Sequence, residues 1–128
     1  MRTLSRTVLV VLFALALGIG PSLQAQSDDL YAAIAYSPKT GKWGYGCNYT
    51  TKAEAIERAK SECGAKDART NWCKNAWIAL AISDDSKGGW GSAWGETREE
   101  AQAAARKECL ARNPDARVIA TVSANCEK

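Results

Sequence analysis

Thr51–Cys63 reads TKAEAIERAKSEC, and Thr97–Cys109 reads TREEAQAAARKEC. The two stretches match in register at a constant offset of 46, at Thr51/Thr97, Glu54/Glu100, Ala55/Ala101, Ala59/Ala105, Glu62/Glu108 and Cys63/Cys109. Each opens with Thr followed three residues later by Glu, a capping box: the Thr oxygen accepts a first-turn N–H, and the Glu reaches back to the cap N–H. Ala55, Ala59 and Cys63 recur at helical spacing and share one face, as do Ala101, Ala105 and Cys109. Lys52, Glu57, Arg58 and Glu62 fall outside that stripe and meet water. Gly64 is suited to end the first helix in a left-handed conformation, and Asn113-Pro114 stops the second. Faces built from Ala and Cys let both helices lie close to their support, which is expected to be a sheet.

The flanking segments supply the strands, again twice. Leu30–Ser37 (LYAAIAYS) and Trp77–Ser83 (WIALAIS) align at the same offset, with Ala32, Ile34 and Tyr36 answered by Ile78, Leu80 and Ile82. Pro38–Gly41 and Asp84–Gly88 are turns. Lys42–Asn48 places Trp43, Tyr45 and Cys47 on one face and Gly44 and Gly46 on the other; Gly89–Gly95 repeats the pattern with Trp90 and Trp94 one residue out of step. Glycines inside a strand expect something packed close to the backbone, and the small-faced helices fit. Ala68–Lys74 and Arg117–Ala124 complete each copy. The order is β-β-α-β twice, with repeats at about 30–75 and 76–126. The expected fold is α+β: a sheet of about six strands, antiparallel or mixed, with both helices on one side.

The chain begins like a secretory signal. Arg2 and Arg6 precede the apolar run Val8–Ile19, Gly20-Pro21 breaks it, and Leu23-Gln24-Ala25 offers a cleavage site before Gln26. A retained anchor is the alternative, but the run is short for a span of about 20 residues. Residues 1–25 are therefore read as the signal and 26–128 as one domain, secreted or periplasmic, with no membrane span after cleavage. Two of the 17 basic residues lie in the signal, leaving 15 against 14 acidic ones, so the domain is near neutral. That gives no electrostatic case for nucleic acid. Cys47, Cys63, Cys73, Cys109 and Cys126 are an odd set, as expected of a disulfide-stapled exported domain with one thiol left over.

The paired strands YAAIAYSPKTGKWGYG and GGWGSAWG, with the two capped Ala-rich helices, resemble the exported bacterial family of domain of unknown function 4189, over Tyr31–Cys126. The resemblance implies a duplicated α+β domain, export and no established activity, so it transfers no catalytic residue. Members commonly carry Trp where Cys47 stands and Cys near positions 68, 77 and 116, where this chain has Ala68, Trp77 and Ala116. Cys73 is a further departure, and the family's disulfide pairing is not carried over.

Histidine is absent, which removes Ser-His-Asp and Cys-His nucleophiles and His-ligated metals. Eight of the fourteen acidic residues are Glu, mostly on exposed helix faces or in capping boxes, so a catalytic carboxylate pair is not favoured. No C-x-x-C pair marks a zinc site, Asp84–Gly88 lacks calcium-loop spacing, and GGWGSAWG lacks the Lys-Ser/Thr of a phosphate loop. Asn48-Tyr49-Thr50 is a glycosylation sequon, of use only in a eukaryotic secretory route. Neither metal nor cofactor is expected. Pairing each helix cysteine with the next strand gives Cys63–Cys73 and Cys109–Cys126, with Cys47 as the free thiol, one of fifteen possible arrangements.

The aromatic residues are the functional lead. Trp43, Tyr45, Trp90 and Trp94 are expected on strand faces turned away from the helices, forming a strip on an uncovered sheet face. Such a strip suits a partner protein or an envelope glycan; the competing reading is that the rings cover each other and close the fold. The expected function is a non-catalytic exported binding module, and the alternative is a small exported enzyme using carboxylates or Cys47.

Overall fold

A computed structural model describes residues 28–127. The signal segment read at 1–25 lies outside the described residues. The elements are β1 (Tyr31–Tyr36), β2 (Trp43–Tyr49), α1 (Lys52–Cys63), β3 (Arg69–Lys74), β4 (Trp77–Ile82), β5 (Trp90–Gly95), α2 (Arg98–Leu110) and β6 (Arg117–Ser123). The duplicated β-β-α-β order is present.

Both helices begin as their sequences dictate. Thr51 Oγ1 accepts from the Glu54 N–H at 3.2 Å, and Thr97 Oγ1 from the Glu100 N–H at 3.1 Å. The reciprocal half of the box differs from expectation: Glu54 Oε1 takes the Thr51 hydroxyl at 3.1 Å, and Glu100 Oε1 takes the Glu96 N–H at 3.0 Å. Gly64 ends α1 with φ +71° and donates its N–H to Lys60 O. Asn113 caps α2 through its side chain, Nδ2 donating to Cys109 O at 2.8 Å.

The six strands form two three-stranded antiparallel sheets, β2-β1-β3 and β5-β4-β6, rather than one sheet of six. Each copy closes its own sheet because both outer strands pair with its own central strand: Ile34 lies opposite Tyr45 and Asn71, and Leu80 opposite Ser92 and Ala120. The alternation of residue size then decides the layers. Ala33 and Ala35 pack on Ala55, Ala59 and Cys63 of α1, and Ala79 and Ala81 on Ala101, Ala105 and Cys109 of α2. The larger faces, with Ala32, Ile34 and Tyr36 on one sheet and Ile78, Leu80, Ala120 and Val122 on the other, meet in a shared core. The helices therefore lie on opposite outer sides of a four-layer stack, not on one side.

Ile34, Ile78 and Leu80 are at most 1 % exposed, and burying each contributes about 1.5–3 kcal/mol. Neither half hides these side chains without the other. The strand glycines are steric requirements: a Cβ on Gly46 would lie 2.9 Å from Ala55 O, one on Gly95 2.6 Å from Ala101 N, and one on Gly91 2.8 Å from Ala105 O. The one-residue slip between the copies is a bulge in β2, where Tyr31 faces Tyr49 but Ala33 faces Gly46; Asn48, with φ +66°, is the extra residue.

Candidate functional site

The nominated aromatic residues do lie on the faces turned away from the helices, since Trp43 and Tyr45 sit opposite Tyr36 and Ile34, and Trp90 and Trp94 opposite Ile82 and Ile78. Those faces are not uncovered, because each sheet packs on the other. The expected single strip is divided accordingly. Trp90 wedges against the buried Tyr36 with ring centroids 5.8 Å apart and serves the core. Burial raises the Tyr36 phenol above its ordinary range. Trp94 is 56 % exposed in a cavity of about 370 Å³ lined by Asn71, Trp72, Cys73 and Lys74.

Trp43 and Tyr45 remain together. They are 38 % and 46 % exposed, their centroids are 6.2 Å apart, and their planes lie within 26°. They form one wall of a groove of about 370 Å³ whose other wall is β6, at Ala120–Ser123. Arg98 and Glu127 add charge to its lining, to which Cys47 and Cys126 also belong.

The cysteines pair differently from expectation. Cys47 is bonded to Cys126, with Cα atoms 5.4 Å apart, while Cys63, Cys73 and Cys109 are free and buried. The expected Cys63–Cys73 bridge fails because the two thiols lie on opposite faces of their sheet, Cys63 under α1 and Cys73 in the shared core. Cys109 is likewise held under α2, whereas Cys126 follows β6 beside β2. The contact that brings Cys47 to Cys126 is tertiary: the Asn48 N–H, turned out by the bulge, donates to Ala124 O at 2.7 Å. Cys47 is thus not the free thiol. Burial pushes the Cys73 thiol up to about 11 and raises that of Cys109, which leaves both poor nucleophiles near neutral pH.

A second repeated arrangement was not read from the sequence. The buried Ser37 hydroxyl donates to Asp67 at 2.6 Å, and the Ser83 hydroxyl to Asp115 at 2.5 Å. In each copy the same carboxylate accepts a turn amide, from Lys39 or Asp84, and the Ser oxygen accepts the N–H three residues on. The clasp ties the first turn of each half to the loop after its helix. These bonds, the Ser hydroxyl first, hold both carboxyls below the usual carboxylate range. Asp84 is lowered by its two-pronged contact with Arg117 at 3.0 and 3.1 Å. The Asp84–Gly88 turn is thus engaged in structural bonds, and the described residues contain no cluster of three or more His, Cys, Asp or Glu able to hold a metal ion. The signal for the clasp was an offset of 48 between Asp67 and Asp115, two residues out of step with the helices. The first helical residue of each copy also covers an indole: Lys52 lies 4.6 Å from the ring of Trp72, and Arg98 4.7 Å from that of Trp77.

Among the described residues no helix is long and apolar enough to cross a membrane. No curated protein and no solved structure matches the chain. The family model described as domain of unknown function (DUF4189) matches residues 31–123, most of the chain, and the protein therefore belongs to the DUF4189 family.

Proposed function

We propose that the chain is exported, to the periplasm or beyond the cell, and acts there as a non-catalytic binding module. Its contact surface is the groove between Trp43–Tyr45 and β6, and its partner is a protein or an envelope glycan. The observation that carries this reading is the pair of near-parallel rings left more than a third exposed beside an open groove. Aromatic rings of this kind give large contact area at low entropic cost and dominate many binding surfaces. The apolar run at Val8–Ile19 and the Cys47–Cys126 bridge support export, since disulfides persist in oxidising compartments.

The alternative, a small enzyme, loses the thiol on which it relied, because Cys47 is in a disulfide. Asp67, Asp84 and Asp115 have lowered pKa values and structural partners, the reverse of what a general acid needs. The test is capture from a whole envelope fraction that includes insoluble peptidoglycan. Trp43→Ala with Tyr45→Ala should reduce capture at least tenfold while thermal unfolding stays cooperative. Undiminished capture by that double variant overturns the reading.

A further inference from the structure

Among the described residues the two sheets have four outer edges, and at three of them a side chain or a bulge guards part of the edge. At β3 the Asn75 N–H donates to Leu30 O, which sets the ladder phase and turns the Trp72 N–H outward; the Asn71 side chain takes that N–H at 2.9 Å. At β5 the Ser83 N–H donates to Gly89 O, so the Trp90 carbonyl faces outward, and Arg112 donates to it at 3.4 Å. The edge of β2 is bent by the bulge at Asn48 and flanked by the Arg58–Glu62 ion pair, with which Tyr45 and Gly46 share a cavity. Bulges and charged side chains are the usual protection against strand pairing.

The edge of β6 has no such guard over its centre. The Ala124 N–H donates to Ala76 O at 2.8 Å, so Val122 and Ala120 form the hydrogen-bonded pairs with Ile78 and Leu80. Thr121 and Ser123, between them, turn their N–H and C=O groups away from β4. The Cys126 N–H donates to Ser123 O at 3.0 Å. Among the described residues no strand or side chain takes the Thr121 N–H or C=O, or the Ser123 N–H. These groups open into the groove walled by Trp43 and Tyr45. The shift of register between Leu80 and Ala81 ends the flat run on the N-terminal side.

We propose that this edge takes an extended peptide from a partner protein as a fourth strand of the β5-β4-β6 sheet. The inference rests on the binding-module reading and names its partner class. Outward amide and carbonyl groups at strand spacing are matched by another extended backbone and not by a sugar ring. Alternate side chains of the added strand enter the seam against Trp43, Tyr45, Ala120 and Val122 and are apolar. The intervening ones lie beside Thr121 and Arg98 and are polar or acidic.

The experiment selects a phage-displayed library of random dodecapeptides on the intact protein and measures the enriched peptide against three variants. Thr121→Pro removes one outward N–H without touching the ladder, since the flanking residues make the β4 bonds. Thr121→Val keeps that N–H and loses only the hydroxyl, which accepts from Gln102 at 2.9 Å. The proline variant should bind at least tenfold more weakly than the valine variant, the scale of one well-made hydrogen bond to an otherwise unpaired group. Equal binding by the proline and valine variants overturns strand addition, even where Trp43→Ala with Tyr45→Ala abolishes binding. So does failure to enrich any peptide while envelope glycan is retained. Retained binding by the aromatic double variant instead overturns the binding-groove reading itself. Should Thr121→Pro not fold, hydrogen exchange decides: the Thr121 and Ser123 amides of the parent should become protected when the peptide binds, and unchanged exchange overturns the proposal.

Discussion

Replacing Cys47 and Cys126 by Ser measures what the bridge contributes. The two residues are 79 apart in sequence. A cross-link closing a loop of that length removes roughly 15 cal/mol/K from the unfolded chain, about 4.5 kcal/mol at 25 °C, in the chain-entropy description. Native disulfides commonly deliver about 2–4 kcal/mol, so the calculated value is an upper figure. Against a total stability of about 5–15 kcal/mol for a domain, the loss is a large share. With an m-value near 2 kcal/mol per molar, the urea midpoint should fall by about 1–2 M. The same shift should follow reduction of the parent protein by a phosphine, with little further change in the double variant. Thiol counting by alkylation and mass spectrometry provides the second readout. The parent, denatured without reductant, should take up three labels, at Cys63, Cys73 and Cys109, and far fewer while folded. A midpoint unchanged within about 0.3 M, or a single label after denaturation, would refute the reasoning.

Two further outcomes follow from the packing and the clasps. Gly91→Ala drives a Cβ against the Cys109 amide and to 2.8 Å from Ala105 O, backbone atoms that shift only together with α2. It should cost about 1–3 kcal/mol in urea unfolding, as overpacking does. For Asp115 the sign is set by its lowered folded pKa. The stabilisation is present above the unfolded value near pH 4 and is lost as pH falls through the folded value. Melting temperatures of the parent should therefore drop below about pH 4 more steeply than those of Asp115→Asn, and parallel curves would remove the clasp from the account.

The elements themselves were legible in the amino-acid sequence because their signals are local. The Thr51 and Thr97 caps, the Ala stripes and the strand alternation each act over a few residues, and duplication displayed each one twice. Strand pairing is not local, and there the reading departed from the fold. A face carrying Ile34 and Tyr36 must be covered, but its sequence does not distinguish a neighbouring strand from an opposing sheet. The same gap accounts for the cysteines. Cys63 and Cys73 are ten residues apart, yet the sheet lies between their thiols, and the approach of Cys47 to Cys126 depends on a bulge and a C-terminal segment that meet only in three dimensions. For the site, the residue types were readable and their grouping was not. Trp43 and Tyr45 share a groove, whereas Trp90 was drawn into the interior by Tyr36.

The bridge has a further effect on how the two copies are held together. Cys47 belongs to the first copy and Cys126 to the second, while the backbone passes from one to the other only through Asn75 and Ala76. Around that crossing the Asn75 amide is fixed to Leu30 and the Ala76 carbonyl to Ala124, so both ends of the folded domain lie against its midpoint. A protease that severed the crossing would not separate the halves. The nicked molecule would migrate as one species until a reductant was added, with its shared interior and its groove still assembled.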